Sequence, residues 1–402
     1  MANSTEELPF QDIVIVGAGP AGLSLATMLS DSGLSITLLD IQNEEDLASP
    51  QADGREIALN HASKELLEKI GAWQEIQEKD KHLLNEAKVE NGRSPLALEF
   101  RAQQAKEPLG YLIANHQIRQ SLFKQLKKAN NIRLLCDTKL LSLKESNERT
   151  TLMLSGQREL SCKLLIAADS RFSATRKMKG IAAKMKDYGR VMIVCNMQHE
   201  LDHQHIAQEC FHYGHTCAIL PLGPKESSIV ITVNSAKAEQ FLQLDDAAYA
   251  EHAYKLLSGR LGKMTISTKR QPYPLVGAYA DRFTAPRFAL IGDAAVGMHP
   301  VTAHGFNLGL HSAHKLSKHI LKAHASGKDY SGPEVLKRYA FEHQLMAKPV
   351  YEATNLIVGL FNDDSGPAKL LRKTTLGLAS RFTPLQKLIT HRLTRGASKG
   401  LL

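Results

Sequence analysis

Cysteine is scarce in this 402-residue sequence, and the five cysteines are scattered along it. No two of them are separated by two residues, so the CxxC pair of many zinc sites and redox sites is missing. An odd and dispersed set predicts reduced thiols in a reducing compartment. The five are Cys136, Cys162, Cys195, Cys210 and Cys217.

Long apolar runs are missing as well. No stretch reaches the roughly 18 residues that a membrane span requires. Residues 1–9 are polar and lack the apolar centre of a signal peptide. We therefore expect a cytoplasmic protein. Its net charge of +9 is compatible with a peripheral position on the inner face of the membrane.

The clearest positive signal lies near the N-terminus. Residues 12–16 form an apolar run typical of a buried parallel strand, residues 17–22 read Gly-Ala-Gly-Pro-Ala-Gly, and residues 36–39 form a second such run that ends at Asp40. Glycines at this spacing permit a tight turn, close approach of a pyrophosphate and close packing of the next helix, while the acid accepts ribose hydroxyls. The sequence therefore predicts a dinucleotide site. Its residues are Gly17, Gly19, Ala21, Gly22 and Asp40.

A second motif lies far downstream. Residues 287–291 form another apolar run, which leads into Gly292 and Asp293, and Gly305 and Asn307 then open a helical stretch. A carboxylate at a strand end beside a helix N-terminus suits the ribityl hydroxyls of a flavin. The helix dipole also favours negative charge on the reduced flavin ring. We therefore predict that these four residues contact a flavin.

A third apolar run, residues 164–168, ends at Asp169 in the same way. In this order and spacing, the three segments resemble those of the aromatic-ring flavoprotein monooxygenases, and most of all the ubiquinone-biosynthesis hydroxylases. The resemblance extends from about residue 12 to about residue 351. It implies that Asp169, Arg55 and Arg119 contact FAD, because each stands at a matching position of the family.

The resemblance also implies the chemistry. FAD is reduced by NAD(P)H or another electron donor, reacts with O2 to give a flavin hydroperoxide, and hydroxylates the ring of a prenylated phenol or quinol. The 5-hydroxylation of demethoxyubiquinol is our leading interpretation. His304 and Pro221 are the candidate catalytic residues, because matching family positions lie beside the flavin ring. A structural hydrogen bond is the alternative for His304.

The sequence departs from the family pattern at several positions. Ser170 stands where the family has glycine, Val296 where it has histidine, and Ser312 where it has aspartate; residues 303–304 read Ala-His in place of Gly-Gln. These changes indicate a divergent branch. Two other functions therefore stay open: a prenyl-chain reductase of the same flavin superfamily, and a non-catalytic subunit that holds FAD in a biosynthetic assembly.

The predicted fold class is α/β. It has a discontinuous Rossmann-like FAD-binding domain at residues 10–182 and 275–350, a β-sheet substrate domain at residues 183–274, and a basic helical tail at residues 351–402. Residues 387–395 read as a basic amphipathic helix, which suits an anionic membrane surface or other ubiquinone-biosynthesis proteins. Packing of that helix on its own domain is the alternative. We expect no nucleic-acid partner, because no aromatic residues interleave the charges.

Histidine and cysteine are concentrated between residues 199 and 217. Imidazole and thiolate groups bind zinc, but these spacings match no zinc finger, and alternation along strands places neighbours on opposite faces. We therefore predict a polar sheet surface or loop and no metal site. The residues are His199, His203, His205, Cys210, His212, His215 and Cys217.

Overall fold

Three β-sheets and the helices that pack on them make up the part of the chain that the computed structural model describes. That part comprises residues 6–92, 97–101, 107–212 and 214–362, without the side chains of residues 302, 361 and 362. The strands are β1 Glu6–Glu7, β2 Gln11–Val16, β3 Ile36–Leu39, β4 Glu56–Leu59, β5 His82–Leu84, β6 Glu86–Asn91, β7 Ala97–Arg101, β8 Gly110–Ala114, β9 Ile132–Leu135, β10 Leu140–Glu145, β11 Thr150–Leu154, β12 Arg158–Ala167, β13 Ala183–His199, β14 Ile206–Phe211, β15 Thr216–Pro221, β16 Glu226–Asn234, β17 Met264–Ile266, β18 Gln271–Ala280, β19 Thr284–Ala285, β20 Phe288–Leu290 and β21 Val296–Gly297.

The helices alternate with the strands in the first half of the chain and follow them at its end. The α-helices are α1 Pro20–Met28, α2 Glu44–Ala48, α3 His61–Lys69, α4 Asn115–Leu126, α5 Ala174–Met178, α6 Ser235–Leu242, α7 Asp246–Leu256, α8 Gly305–Ala325 and α9 Pro333–Asn362. Single 3₁₀ turns lie at Trp73–Glu75, Glu78–Asp80, Gly292–Ala294 and Pro300–Thr302. No helix within the described ranges has the length and apolar character needed to cross a bilayer.

The first sheet has a parallel core in the order β9-β3-β2-β12-β20. Its central strands are almost wholly apolar and buried, as expected for parallel strands with helices on both faces. Helices α1, α4 and α8 contribute apolar side chains to the same core cluster as β2 and β3. This arrangement confirms the predicted α/β class with a Rossmann-like FAD-binding domain.

The second sheet has the order β21-β18-β13-β16-β15-β14-β6-β7 and lies beside the first. Helices α6 and α7 cover one of its faces, where Ile193, Ile231 and Tyr249 share a buried cluster. The sheet draws on more of the chain than residues 183–274, because it takes in β6 and β7 and because β18 extends to Ala280. Helix α9 continues past residue 350 to Asn362. The domain boundaries given above stay a prediction.

Helix α9 packs on the FAD-binding domain through a buried imidazole. His343 is 1% exposed, its ring stacks on Tyr339 with centroids 5.8 Å apart, and it also contacts Phe283. Neither ring nitrogen has a hydrogen-bond partner in the described part of the chain. Burial therefore disfavours the imidazolium and lowers the pKa of His343 to about 3.

This histidine predicts a loss of stability in mild acid. Below a pH of about 6.5, the His343 imidazole binds a proton in the unfolded chain but stays neutral in the folded protein. The free energy of unfolding should therefore fall as pH is lowered from about 6.5 toward 4, by up to about 1.4 kcal/mol per pH unit for each such group. Replacing His343 by phenylalanine should reduce that slope in urea titrations. His324→Phe, at an exposed position, is the control and should leave the slope unchanged; equal slopes in all three proteins would contradict this assignment.

Candidate flavin-binding site

The glycine-rich turn between β2 and α1 is shaped by contacts that no side chain would allow. Gly17 has φ +107°, and a Cβ there would lie 2.6 Å from the Ala168 carbonyl oxygen. A Cβ on Gly22 would lie 1.9 Å from the Gly17 carbonyl oxygen. A Cβ on Gly19 would have no neighbouring protein atom within 4 Å. Two of the glycines are thus needed for packing, and the third leaves open space at the N-terminus of α1, where a pyrophosphate fits.

Asp40 holds this turn in place. Its carboxylate accepts a hydrogen bond from the Ala18 backbone N–H at 2.6 Å and another from the Gln42 N–H at 2.8 Å. The carboxylate lies at the carboxyl end of β3, directly beside the turn. A carboxylate oxygen can accept more than one hydrogen bond, so Asp40 can also bind ribose hydroxyls.

The predicted second motif reaches the same edge of the sheet. Gly292 has φ +58°, and a Cβ there would lie 2.8 Å from the Ala21 methyl carbon, so the two predicted motifs touch. The Asp293 carboxylate accepts a hydrogen bond from Arg171 Nη2 at 2.8 Å. Arg176, which is 2% exposed, donates to the Ala294 carbonyl at 2.8 Å. Two arginines that follow Asp169 therefore position the Gly292–Ala294 turn.

Asp169 itself is engaged locally. Its carboxylate accepts hydrogen bonds from the Ser173 hydroxyl and, at 3.0 Å, from the Thr175 backbone N–H, which caps the start of α5. Asn307 also makes bonds within the protein, because its amide donates to the Ala58 and Ala303 carbonyls and its oxygen accepts one bond from the Asn60 N–H. These bonds are structural, and direct cofactor contact by either residue stays a prediction.

Arg55 and Arg119 both lie near the Asp53 carboxylate. Arg55 donates to this carboxylate through Nε at 3.0 Å and Nη2 at 2.5 Å, and Asn115 donates to it at 2.7 Å. Arg119 donates to the Gln42 side chain at 2.9 Å. These bonds fix two partly exposed guanidinium groups within reach of an anionic ligand. The sequence did not indicate Asp53 or Asn115 as site residues.

Two of the departures from the family pattern occupy left-handed backbone positions. Ser170 has φ +75° and Ala303 has φ +53°, where glycine is the residue of least cost. Both are positions at which the family has glycine. The third departure, Ser312, accepts a hydrogen bond from the Gly292 N–H at 3.0 Å and donates to the Gly309 carbonyl. Two of the departures thus lie in turns where glycine would cost least, and Ser312 connects α8 to the Gly292 turn.

The second sheet closes over this site with one face. Tyr273 donates to the Asp53 carbonyl at 2.6 Å, and Val194 Cγ1 lies 3.6 Å from the Cβ position of Gly54. The face opposite α7 is therefore the one that meets the flavin-binding segments, and we call it the inner face. Within the paired segments of β13 to β16, its charged side chains are Glu209, Glu226 and Arg190, and most of its uncharged side chains are partly exposed. The uncharged ones include Met192, Val194, Asn196, Ala207, Phe211, Thr216, Ala218, Leu220, Ser228, Val230 and Thr232.

The two candidate catalytic residues lie at either side of this region. Pro221 is buried at the end of β15, where it pairs with Ser227. His304 precedes α8, and its carbonyl accepts the Leu308 N–H at 2.8 Å. A catalytic role for either residue stays a prediction. Glu209 was missed, because alternation along a strand identifies two faces but not which of them meets the flavin segments.

Two of the histidines between residues 199 and 217 bind neighbouring groups of the protein through their rings. His199 contacts the Leu201 carbonyl at 2.7 Å and the Ser227 hydroxyl at 3.0 Å, and His203 contacts the Gly223 carbonyl at 2.7 Å. No set of three or more His, Cys, Asp or Glu side chains within the described residues is arranged to hold a metal ion.

Comparison with known proteins points to the same chemistry. A family model described as FAD binding domain matches residues 11–354. The chain is 47% identical over 388 residues to the ubiquinone hydroxylase UbiM of Neisseria meningitidis, over 95% of this chain and 84% of that protein. It is 27% identical over 378 residues to the 3-demethoxyubiquinol 3-hydroxylase of Escherichia coli, over 94% of this chain and 96% of that protein.

A solved structure supports the fold. The p-nitrophenol 4-monooxygenase PnpA of Pseudomonas putida has a TM-score of 0.78 to this chain at 16% identity, over 98% of this chain and 100% of that one. At that identity the likeness concerns the fold alone. It extends over both the FAD-binding domain and the second sheet.

The open space at Gly19 gives a test that separates cofactor binding from folding. Gly19→Ala should leave the melting temperature of the cofactor-free protein unchanged, because its new methyl group meets no protein atom within 4 Å. The dissociation constant for FAD should rise about tenfold or more, since the methyl group occupies the approach of the pyrophosphate. Flavin fluorescence titration measures the affinity. Gly22→Ala is the contrasting variant and should lower the melting temperature; unchanged FAD affinity in Gly19→Ala would contradict the placement of the pyrophosphate.

Proposed function

We propose, because this chain belongs to the family of FAD-dependent hydroxylases of ubiquinone biosynthesis, that it hydroxylates demethoxyubiquinol at the ring carbon that lacks a methoxy group. The protein is an FAD-dependent aromatic hydroxylase whose substrates are O2 and a prenylated ring. The choice of ring carbon is supported by the name of the Escherichia coli relative. The prenyl-chain reductase and the non-catalytic subunit are not favoured, since the relatives are named as hydroxylases.

One observation carries the choice of a prenylated substrate. The inner face is mostly apolar, and in the described part of the chain its paired strand segments carry one cation, Arg190. A small aromatic acid would require a cation for its carboxylate, whereas a prenylated ring is held by apolar burial at about 25 cal/mol per Å². The guanidinium of Arg190 donates to the Gly214 carbonyl, which occupies one of its N–H groups.

FAD supplies the oxygen chemistry when it is bound. The residues of the chain have three tasks beside it. The turn at Gly19 and the carboxylate of Asp40 would hold the adenosine and pyrophosphate end, and the Gly292–Ala294 turn, with the Asp293 carboxylate, would hold the ribityl end. The second sheet encloses the ring of the substrate and excludes water, which protects a reactive oxygen species from wasteful decay. The electrons come from NAD(P)H or another donor.

The length of the prenyl chain should control turnover. We expect kcat/KM to rise as the prenyl tail of a phenol is lengthened, because each added apolar group is buried on binding. 4-Hydroxybenzoate should be a poor substrate. The assay follows product formation in detergent or vesicles, with mass spectrometry of the product and NMR to locate the new hydroxyl. Faster turnover of 4-hydroxybenzoate, without a gain from the tail, would contradict a prenylated substrate; a hydroxyl at another ring carbon would contradict only the proposed position.

Association with a membrane surface is the second part of the proposal. The outer face of α9 exposes Phe341 by 66%, Leu345 by 67% and Leu356 by 74%. This helix leads into residues 363–402, which lie outside the described part of the chain, as does the amphipathic helix predicted at residues 387–395. After Asp364 the sequence has eight Lys and Arg residues and no acid. Exposed apolar side chains next to a basic segment are typical of proteins that bind anionic lipid surfaces.

A truncation after residue 362 tests this part. The shortened protein should keep bound FAD but sediment less with anionic vesicles, because each basic residue near such a surface contributes about 1 kcal/mol. Raising the salt concentration should weaken sedimentation of the full chain more than that of the truncated one. Neutral vesicles serve as the control. Equal sedimentation of the two proteins at every salt concentration would assign another role to this segment, such as contact with other proteins of the pathway.

A further inference from the structure

The carboxyl group of Glu209 lies on the inner face of the second sheet. Side chains alternate along β14, and its neighbours Gln208 and Cys210 point toward α7, where Gln208 accepts a hydrogen bond from Arg260 and Cys210 belongs to the buried cluster under that helix. Phe211, on the same side as Glu209, packs with Val301 of the FAD-binding domain. Glu209 therefore faces the FAD-binding domain.

The strand register leads from Glu209 directly to the flavin-binding segment. Glu209 pairs with Ala218, Ala218 with Val230, and Val230 with Val194. Val194 in turn contacts the Cβ position of Gly54, the residue before Arg55. One continuous row of side chains thus connects the carboxyl group with the segment expected to contact FAD, and every member between them is apolar.

No cation of the described residues neutralises this carboxyl group. Burial raises the pKa of Glu209 to about 7, and a hydrogen bond from the Thr216 hydroxyl lowers it in part. The thiols of Cys210 and Cys217, whose pKa values the Glu209 charge helps to raise, lie on the opposite face and are themselves buried. A buried acid without a cationic partner on a ligand-facing surface is typical of functional sites.

We propose that the Glu209 carboxylate binds the phenol hydroxyl of the substrate and accepts its proton, which makes Glu209 a catalytic residue. The inference rests on the proposed function, since it requires a phenolic ring between the inner face and the flavin. An acid at the end of an apolar row matches a prenylated phenol, which has one acidic O–H group on an otherwise apolar molecule. Val194, Ala218 and Val230 supply the apolar part of that surface.

The proton balance is simple. The O–H bond of the substrate breaks, its proton passes to a carboxylate oxygen of Glu209, and the electron pair remains on the phenolate oxygen. The additional electron density enters the ring and makes its ortho and para carbons more reactive toward an electrophilic oxygen. O2 and the electron donor of the proposed reaction remain the oxidant and the reductant, so no further reactant is needed. The proton returns to the phenolate oxygen or to water before the product leaves.

Three variants of the FAD-loaded full chain test this role. Glu209→Gln keeps the size of the side chain but cannot accept a proton, Glu209→Asp keeps the carboxylate, and Glu251→Gln on the exposed surface of α7 is the matched control. Thermal unfolding of each variant at pH 8 verifies the fold. Glu209→Gln should be at least as stable as the parent there, because it removes a buried charge.

Binding is measured by calorimetry with a prenylated phenol and with its O-methyl ether, which lacks the acidic proton. The parent and Glu251→Gln should bind the phenol about tenfold or more tightly than the ether at pH 8, as expected for a hydrogen bond to a charged group. Glu209→Gln should lose that preference, and Glu209→Asp should keep part of it. Equal preference in the parent and in Glu209→Gln would overturn the proposal.

The pH profile of hydroxylation gives the second readout. In the parent, kcat/KM should rise with pH through about 7 as the carboxylate forms. Glu209→Gln should lose about a hundredfold in kcat/KM and should lose this rise, whereas Glu209→Asp should retain it. A merely structural glutamate would leave the pH dependence in place in Glu209→Gln, and that result would overturn the proposal. If the parent neither binds nor hydroxylates any prenylated phenol, it is the proposed function that fails.

Discussion

The site depends on the register of four parallel strands. Val16 of β2 is level with Leu39 of β3 and with Ala167 of β12, and Ala167 is level with Leu290 of β20. Since parallel strands end at the same edge of a sheet, the residues after them must meet there. This is why segments separated by more than 270 residues form one binding surface, and why Gly17 packs against the Ala168 carbonyl without room for a side chain.

The second sheet is positioned by its contact with a segment that lies at the same edge of the first sheet. The segment that carries Asp53 and Arg55 follows the first βαβ unit, and Tyr273 anchors the second sheet to the Asp53 carbonyl. This contact fixes which face of the sheet meets the flavin-binding residues. The apolar side chains of the other face are buried by α6 and α7, so only the inner face is left to receive a substrate. Burial between the second sheet and the FAD-binding domain, and not the residues adjacent in sequence, raises the pKa of a carboxyl group on that face.

The fold, the family and the cofactor were predictable from the sequence, and the site only in part. The motif around Gly17, Gly19 and Gly22 predicted the dinucleotide fold, because local strand and turn signals decide it. The role of Asp169 depends on the position of the Ser173 hydroxyl and the Thr175 N–H, which its carboxylate binds at the start of α5. The direction of the Glu209 side chain depends on pairings between distant strands. The extent of the second sheet was also beyond the motifs, since β6 and β7 join it through long-range pairing. Local patterns report local geometry, and these features are set by contacts between distant parts of the chain.

Two departures from the family pattern fall at turns that bring the flavin-binding segments together. Ser170 and Ala303 adopt left-handed conformations, which cost a non-glycine residue roughly 1–2 kcal/mol each. Ser170 follows Asp169 in the turn before α5, and Ala303 lies in the turn before α8. Ser312 of α8 hydrogen-bonds the Gly292 N–H and so connects this helix to the turn that carries Asp293. The path of the backbone at these three points, more than the side chains of the substituted residues, decides where the predicted cofactor contacts lie.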